Sequence, residues 1–268
     1  MNKVWLLLKE QLQNSGIVYR IAKYENKASY QGHYLGLAWE VLNPTIQIIT
    51  FYVVFGLGLR RGQSVDGVAF IAWMLVGMAV WFFMNRSILE CSMSVQRKIG
   101  MVSKMKFPVS VLPTITITSE LKTFVVMAAL AIVSTLFAGV MPSWHWVQVI
   151  YYLVAMLIFL FFTGVLTSTI TILIRDFHFM LQALMRLLFY VSGAIMVIAE
   201  IFPGRLGTVL LLNPFYYIIS GFRTVLLYQG TVVTSGTATA FFWTLTILIA
   251  LLASHLHLKF RARFMDFI

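Results

Sequence analysis

Four charged residues lie in or beside long apolar segments of this sequence, and they are its first candidates for chemistry: Glu40, Glu120, Lys122 and Arg186. A carboxylate near the middle of a bilayer could carry protons for an ion-coupled carrier. Burying such a charge costs about 2.5 kcal/mol or more, so it usually has a function. Glu40 and Glu120, however, fall close to the predicted ends of membrane spans, where a side chain reaches water. Their positions favour interfacial placement or helix pairing over proton coupling.

The sequence lacks the motifs of the common catalytic sites. It contains no G-x-x-x-x-G-K-[ST] phosphate loop, no H-E-x-x-H and no G-x-S-x-G. His255 and His257 are neighbours, but two residues apart on a helix they point about 200° from each other, which disfavours a shared metal. The single cysteine, Cys91, rules out an internal disulfide. We therefore predict no catalytic residue, no metal site and no cofactor bound by this chain, which also disfavours a glycosyl or acyl transferase.

The elements that must position these residues are membrane spans. Of the 268 residues, 60% are hydrophobic and 11% are charged, whereas a soluble domain has about 45–50% apolar residues. A helix needs roughly 20 apolar residues to cross a hydrocarbon core of about 30 Å. The uncharged runs predict an all-α integral membrane protein with about six transmembrane helices: Leu37–Leu59, Val68–Asn85, Leu112–Gly139, Val147–Ile174, Phe179–Ala199 and Ala238–Leu258.

Basic residues are distributed unevenly between the two faces that six spans define. One face carries Lys3, Lys9, Arg20, Lys23, Lys27, Arg86, Arg97, Lys98, Lys104, Lys106, Arg175, Lys259, Arg261 and Arg263, and the other carries Arg60, Arg61, Arg205 and Arg223. By the positive-inside rule both termini are cytoplasmic. Attraction to anionic lipids also explains the net charge of +11 without nucleic acid as a partner.

The first 36 residues are too polar to span a bilayer. Val4, Leu8 and Leu12 recur at helical spacing with charged residues around them, which predicts an amphipathic helix in the interface. The short apolar stretch after the start does not read as a signal peptide. We divide the chain into residues 1–36, a cytoplasmic amphipathic segment, and residues 37–268, the six-span domain. The first segment is a basic cuff leading into the first span or a simple anchor.

Residues 202–230 contain two apolar stretches, each too short to cross comfortably, separated by Asn213-Pro214. They predict two short re-entrant helices that enter the outer leaflet and return, which the bilayer permits only where protein covers the broken backbone. Alternatively, Pro214–Gly230 belongs to a seventh span. Parity disfavours this alternative, because a seventh span would place the basic C-terminus outside.

Four motifs, in order along nearly the whole chain, resemble the membrane subunit of ABC-2 type exporters for polysaccharides and teichoic acids. They are Tyr34-Leu35-Gly36-Leu37-Ala38-Trp39 with Asn43-Pro44, then Lys104-Met105-Lys106-Phe107-Pro108 with Leu112-Pro113, then Arg175-Asp176, and finally Asn213-Pro214 with Gly221-Phe222-Arg223. The tract Ser103–Pro113 is most similar to the wall teichoic acid permeases, followed by the O-antigen and capsule permeases.

The resemblance implies a half-transporter in the bacterial cytoplasmic membrane: two copies pair, and two ABC ATPase subunits that bind ATP and Mg²⁺ dock on them. A loop from Arg86 to Lys106 would hold a short docking helix. The residues implied in coupling are Arg97, Lys98, Ser103, Lys104, Lys106, Phe107, Pro108, Arg175 and Asp176. Asp176 could instead cap the fifth span. The expected cargo is a lipid-linked wall teichoic acid; the alternatives are O-antigen or capsular polysaccharide, then drug efflux, then an ion-coupled carrier.

The same resemblance implies a path for the polymer. A basic entrance suits its phosphates, and aromatic residues suit sugar rings, since aromatic faces pack against C–H surfaces. The candidate entrance and path residues are Lys23, Lys27, Tyr34, Trp39 and Arg86, and the candidate outer gate is Asn213, Pro214 and Arg223. For any single lysine or arginine, the positive-inside bias is an alternative explanation.

Overall fold

The computed structural model describes residues 2–28, 34–102, 108–174, 176–202, 204–230, 236–261 and 264. Within these ranges the regular secondary structure is helical, apart from one isolated bridge between Val65 and Val68. Eleven α-helices follow in chain order: α1 (Asn2–Gln13), α2 (Ser15–Ala28), α3 (Trp39–Phe51, extended as a π-helix over Tyr52–Leu59), α4 (Phe70–Val102), α5 (Leu112–Phe137), α6 (Val149–Leu173), α7 (Phe177–Val191), α8 (Ile198–Ile201), α9 (Arg205–Leu211), α10 (Pro214–Leu226) and α11 (Gly236–Phe260).

Five helical segments of the described chain are long and apolar enough to cross a membrane, which confirms an all-α membrane protein. They are Val41–Gly58, Phe70–Lys98, Val109–Phe137, Trp144–Leu173 and Gly236–Phe260. The predicted fifth span, Phe179–Ala199, is wrong in its extent: α7 ends at Val191, just before Gly193 adopts a left-handed φ of 74°. Its 15 residues reach only about 22 Å, less than the hydrocarbon thickness.

The N-terminal helices and the end of α11 meet at one end of the bundle, which we call the basic end. Lys3 Nζ donates to Nδ1 of His255 over 3.3 Å, and Arg261 pairs with Glu10 at 2.9 Å. The C-terminal end of α4 lies there too, because Lys98 pairs with Glu25 of α2 at 2.6 Å. The loops at residues 60–69 and 138–148 form the opposite end.

Helices α1 and α2 are amphipathic, as predicted. Leu7 and Ala22 are buried against the bundle, whereas Trp5 and Leu12 are exposed. Polar contacts fix the inner face as well, since the Ser110 hydroxyl donates to the Glu10 carboxylate. The exposed apolar side chains of α1 suit the interface between headgroups and acyl chains.

Helix α4 forms the centre of the bundle. Met74, Met78 and Met84 are fully buried within it. The predicted end of this span at Asn85, with a loop beginning at Arg86, is wrong: the helix continues without a break to Val102. Its 33 residues are about 50 Å long, so its last turns lie beyond the length needed to cross a bilayer.

Helices α9 and α10 form the predicted re-entrant hairpin. Asn213 caps α10, since its Oδ1 accepts from the Phe215 N–H at 3.0 Å, and Pro214 follows at the first helical position. The Phe215 ring packs on Trp81 at 5.5 Å, about 16 Å along α4 from its start. Beyond α10, Gln229 donates to the Met141 carbonyl in an opposite-end loop. The hairpin therefore turns at mid-depth and returns, and no seventh span forms.

Replacing Gly221 with alanine should destabilise the fold. A Cβ at this position would lie 2.0 Å from Cε1 of Tyr152, so α10 or the buried ring must shift. Overpacking of this kind costs typically about 1–3 kcal/mol, which thermal unfolding in detergent would record as a lower midpoint. Gly16→Ala is the control, because a Cβ there meets no atom within 4 Å. Equal midpoints for the two variants would contradict the proposed close contact.

Candidate functional site

Polar side chains from three helices line a cavity of about 340 Å³ beside α3. Asn43 and Gln47 are four residues apart on α3 and therefore share one face of it. They lie opposite Asn85 and Arg86 of α4 and Glu120 of α5. Amide and charged groups are costly in an apolar bundle unless they have partners or line a polar path, so this cavity is the first candidate for a functional site.

The cavity contains an ion pair between two spans. Nε of Arg86 lies 3.5 Å from Oε2 of Glu120; the Glu120 side chain is 18% exposed and that of Arg86 is 55% exposed. Pairing offsets part of the desolvation of both charges. Of the two outcomes expected for Glu120, helix pairing is the one observed, and Arg86 is helical rather than part of a loop.

A second cavity, of about 480 Å³, lies on the other side of α3, against α4 and α7. It shares Gln47, Phe82 and Asn85 with the first cavity, and adds Gln182 and Arg186 from α7. The shared residues make the two cavities one continuous surface around α3, which we call the α3 groove. Arg186, the fourth charged candidate, therefore lines this groove as well.

Aromatic rings form one wall of the α3 groove. The Phe51 ring packs against Phe189 at 5.3 Å and Trp81 packs against Phe189 at 5.5 Å, with Tyr190 beside them. Amide groups both donate and accept hydrogen bonds, while aromatic faces pack against apolar ring surfaces. The groove can therefore hold a ligand rich in hydroxyls and C–H faces.

The groove includes one of the five predicted entrance and path residues. Arg86 lines it, whereas Lys23 and Lys27 are exposed on α2. Trp39 is the first residue of α3, and Tyr34, ahead of that helix, is fully exposed. Sequence reasoning did not assign the amides Asn43, Gln47 and Asn85 to the path, although two of them recur four residues apart on the same predicted span.

Four of the nine residues predicted to contact an ATPase belong to the described part of the chain, and these four lie at or near the basic end. Arg97 pairs with Glu90 on α4, and Lys98 pairs with Glu25. Pro108 is partly buried just before α5. Asp176 is exposed and precedes α7 without a side-chain capping hydrogen bond, so the alternative capping role is wrong. The remaining predicted residues, Ser103, Lys104, Lys106, Phe107 and Arg175, lie outside the described part of the chain.

Arg223, predicted at the opposite face and in an outer gate, is buried inside the bundle at 4% exposure. Its Nε donates to the Trp73 carbonyl at 3.0 Å, and its two terminal nitrogens donate to the Gly193 and Ala194 carbonyls at 2.6 Å each. The guanidinium also lies over the Trp73 ring. The other two gate candidates, Asn213 and Pro214, form the tip of the hairpin. The Asn213 side chain donates a hydrogen bond to the carbonyl of Val191, the last residue of α7, at 3.5 Å.

The Arg223 cluster has a simple local cause. Helix α7 breaks at Gly193, so the carbonyls beyond it have no partner within a helix, and the guanidinium supplies donors to them. Gly77 on α4 makes room, because a Cβ there would lie 2.0 Å from Nη2 of Arg223. Arg223 is thus a clamp between α4, the end of α7 and α10, and counting it as a surface charge of the opposite face was wrong.

The fold and the groove together define an integral membrane protein whose spans carry a groove lined by amide and aromatic side chains. The profile of the family described as ABC-2 type transporter matches residues 18–227, which is most of the chain. The protein therefore belongs to the ABC-2 type transporter family. This confirms the family expected from the four sequence motifs.

The relatives are named as permeases. The O-antigen export system permease protein RfbA of Myxococcus xanthus is 27% identical over 223 residues, covering 82% of this chain and 83% of the relative. A protein of the same name from Klebsiella pneumoniae is 24% identical over 212 residues, covering 79% and 80%. These names agree with a polysaccharide permease and fit the O-antigen alternative better than wall teichoic acid.

Removing the Arg223 guanidinium should destabilise the protein. Arg223→Ala leaves the Gly193 and Ala194 carbonyls without their donor and removes the bond to the Trp73 carbonyl of α4. An unsatisfied buried group costs about 1–3 kcal/mol. The expected result is a fall in the thermal unfolding midpoint in detergent. Arg205→Ala is the matched control, since Arg205 is exposed at the start of α9. A similar, small effect of both substitutions would contradict the clamp.

Proposed function

We propose that this chain is the membrane subunit of an ATP-driven exporter that moves a lipid-linked O-antigen-type polysaccharide across the bacterial cytoplasmic membrane. The observation that carries the proposal is the α3 groove, an amide- and aromatic-lined surface at membrane depth. The family supports a transporter, and the names of the relatives support the same class of cargo.

The chemistry of the groove suits a sugar chain. Asn43, Gln47 and Asn85 offer neutral donors and acceptors for hydroxyl groups, so successive sugars bind through weak, repeated contacts. Trp81 and Tyr190 offer faces for the C–H surfaces of the rings. The Arg86–Glu120 pair contributes no net charge to the path, and Arg186 adds one positive charge. Neutral groups therefore outnumber charged ones among the polar side chains that line the groove.

A second copy of the chain would complete the path. The outer face of α3 is apolar and exposed at Val41, Ile46, Ile49 and Val54, and only 17% of its membrane-spanning window is buried. The α3 groove runs along both sides of this helix, so a partner lying against α3 would cover the groove and shield a polar cargo from lipid. We infer a homodimer with the two grooves facing a shared channel, surrounded by membrane lipids.

Two ABC ATPase subunits would dock at the basic end, which we place in the cytoplasm by the positive-inside rule. They would bind ATP and Mg²⁺, so that this chain supplies the path and its partners supply the hydrolysis. The last turns of α4 carry Arg97 and Lys98 to this end. Because Lys98 also pairs with Glu25, a push on α4 would reach α2, the helix that precedes α3 in the chain.

At the opposite end, we infer that the hairpin of α9 and α10 is the outer gate. Arg223 holds the hairpin to α4 and to the end of α7. Passage of the cargo would require this clamp to loosen or the hairpin to move as a unit with α7. The Asn213-Pro214 tip would then define the closed end of the path.

Removing an amide from the groove should impair export without impairing insertion. Gln47→Leu keeps the approximate size of the side chain but removes the amide that could bond to a sugar hydroxyl. Export of polysaccharide should therefore fall several-fold in cells that depend on this chain and its ATPase. Thr50→Val is the control on the same helix. The Thr50 hydroxyl donates to the Ile46 carbonyl within α3, and Thr50 is not among the residues that line the groove. Surface polysaccharide is the readout. Unchanged export in Gln47→Leu would contradict the assigned path.

Reversing a charge near the end of α4 should uncouple the ATPase. Arg97→Glu places an acidic group where a docking surface is proposed, and we expect stimulation of ATP hydrolysis by the membrane subunit to fall about tenfold, with normal membrane insertion. Arg205→Glu, at the opposite end, is the control.

Purification of the protein with its native partners identifies the cargo. Bound teichoic acid or a bound drug-like compound would contradict the proposed polysaccharide.

A further inference from the structure

The protein has an apolar groove on its lipid-facing surface, at the place where α1 meets α6 and α11. Its volume is about 590 Å³, and it shares no residue with the α3 groove. Helix α1 contributes Val4, Trp5 and Leu8 to its rim, and its walls come from the other two helices: Ile158, Phe162, Trp243, Thr246, Ile247, Ala250 and Leu251. We call it the α1 groove.

The α1 groove ends in a basic pair. Trp243, Ile247 and Leu251 follow one another at four-residue steps along α11, and the next position of that stripe is His255. His255 accepts a hydrogen bond from Lys3 Nζ of α1, and both side chains are exposed. The groove is therefore apolar along its length and carries hydrogen-bond donors and positive charge at the basic end.

The dimensions match one leaflet of a bilayer. From Trp243 to His255 is twelve residues, or about 18 Å of helix, and one leaflet of the hydrocarbon core is about 15 Å deep. An acyl chain in the groove would bring its headgroup to the level of Lys3 and His255. An isoprenoid carrier, whose chain is far longer, would not fit within this length.

We propose that the α1 groove is a binding site for an anionic glycerophospholipid of the leaflet at the basic end. One acyl chain packs on Trp243, Ile247 and Leu251, and the headgroup phosphate binds Lys3 and His255. The lipid fills the space under α1 and holds this helix to α6 and α11. It thereby supports the N-terminal helices, whose contacts with α4 include the pair of Glu25 and Lys98.

Native mass spectrometry of the full-length protein tests the headgroup contact. The probes are phosphatidylglycerol and phosphatidylcholine with identical acyl chains, added to delipidated protein in detergent. Phosphatidylglycerol should bind more tightly, and Lys3→Glu should reduce that preference about fivefold or more, because a basic group loses its attraction and an acidic one repels. Lys9→Glu, the same charge change on the same helix but outside the groove, should change it less than about twofold. His255→Glu gives the same readout from α11 where Lys3→Glu is poorly folded.

The apolar contact has its own matched pair of variants. Leu251→Trp fills the groove and should lower binding of both phospholipids, whereas Leu252→Trp, at the neighbouring exposed position, should lower neither. Equal effects within either matched pair, or equal binding of the two phospholipids to the unchanged protein, would overturn the proposal. Displacement of phosphatidylglycerol by an isoprenoid pyrophosphate, lost in Leu251→Trp, would also overturn it and assign the groove to the carrier lipid. None of these readouts depends on export.

Discussion

The arrangement of this bundle depends on how backbone groups at interrupted helices find hydrogen-bond partners away from water. Carbonyl groups that lose their helical partners within a membrane must find other donors, and Arg223 supplies them beyond the end of α7. The same guanidinium bonds to α4 through the Trp73 carbonyl. One buried side chain thus allows α7 to stop short, the chain to turn, and the hairpin of α9 and α10 to pack at mid-depth.

Close packing around this clamp requires residues without side chains. Gly77 admits the guanidinium on α4, and Gly221 admits the Tyr152 ring against α10. The hydrophobic effect does not drive helices together within lipid, so their association depends on close packing, which small residues permit. The hairpin is therefore held by shape and hydrogen bonds, which suits an element proposed to open and close.

Polar groups elsewhere in the bundle follow the same constraint. The Arg86 and Glu120 charges meet across the α3 groove, and Lys98 meets Glu25 at the basic end. The first pair lies in the proposed path and the second links the N-terminal helices to α4. Helix α4 carries a member of both pairs and contacts the clamp, so its movement would reach both ends of the protein.

Hydropathy and charge, read from the sequence alone, determined the membrane class, the approximate positions of five spans and the amphipathic N-terminal helices, because these depend on transfer of local segments between water and lipid. The four motifs gave the family, and Asn213-Pro214 marked the re-entrant turn. Only the tertiary structure decided that α4 continues past Arg86, that α7 ends at Val191, and that Arg223 is buried. Those features depend on which distant groups meet. An arginine has the same hydropathy value whether it is exposed on a surface or buried beside three carbonyls. Only the fold brings the carbonyls of Trp73, Gly193 and Ala194 to Arg223.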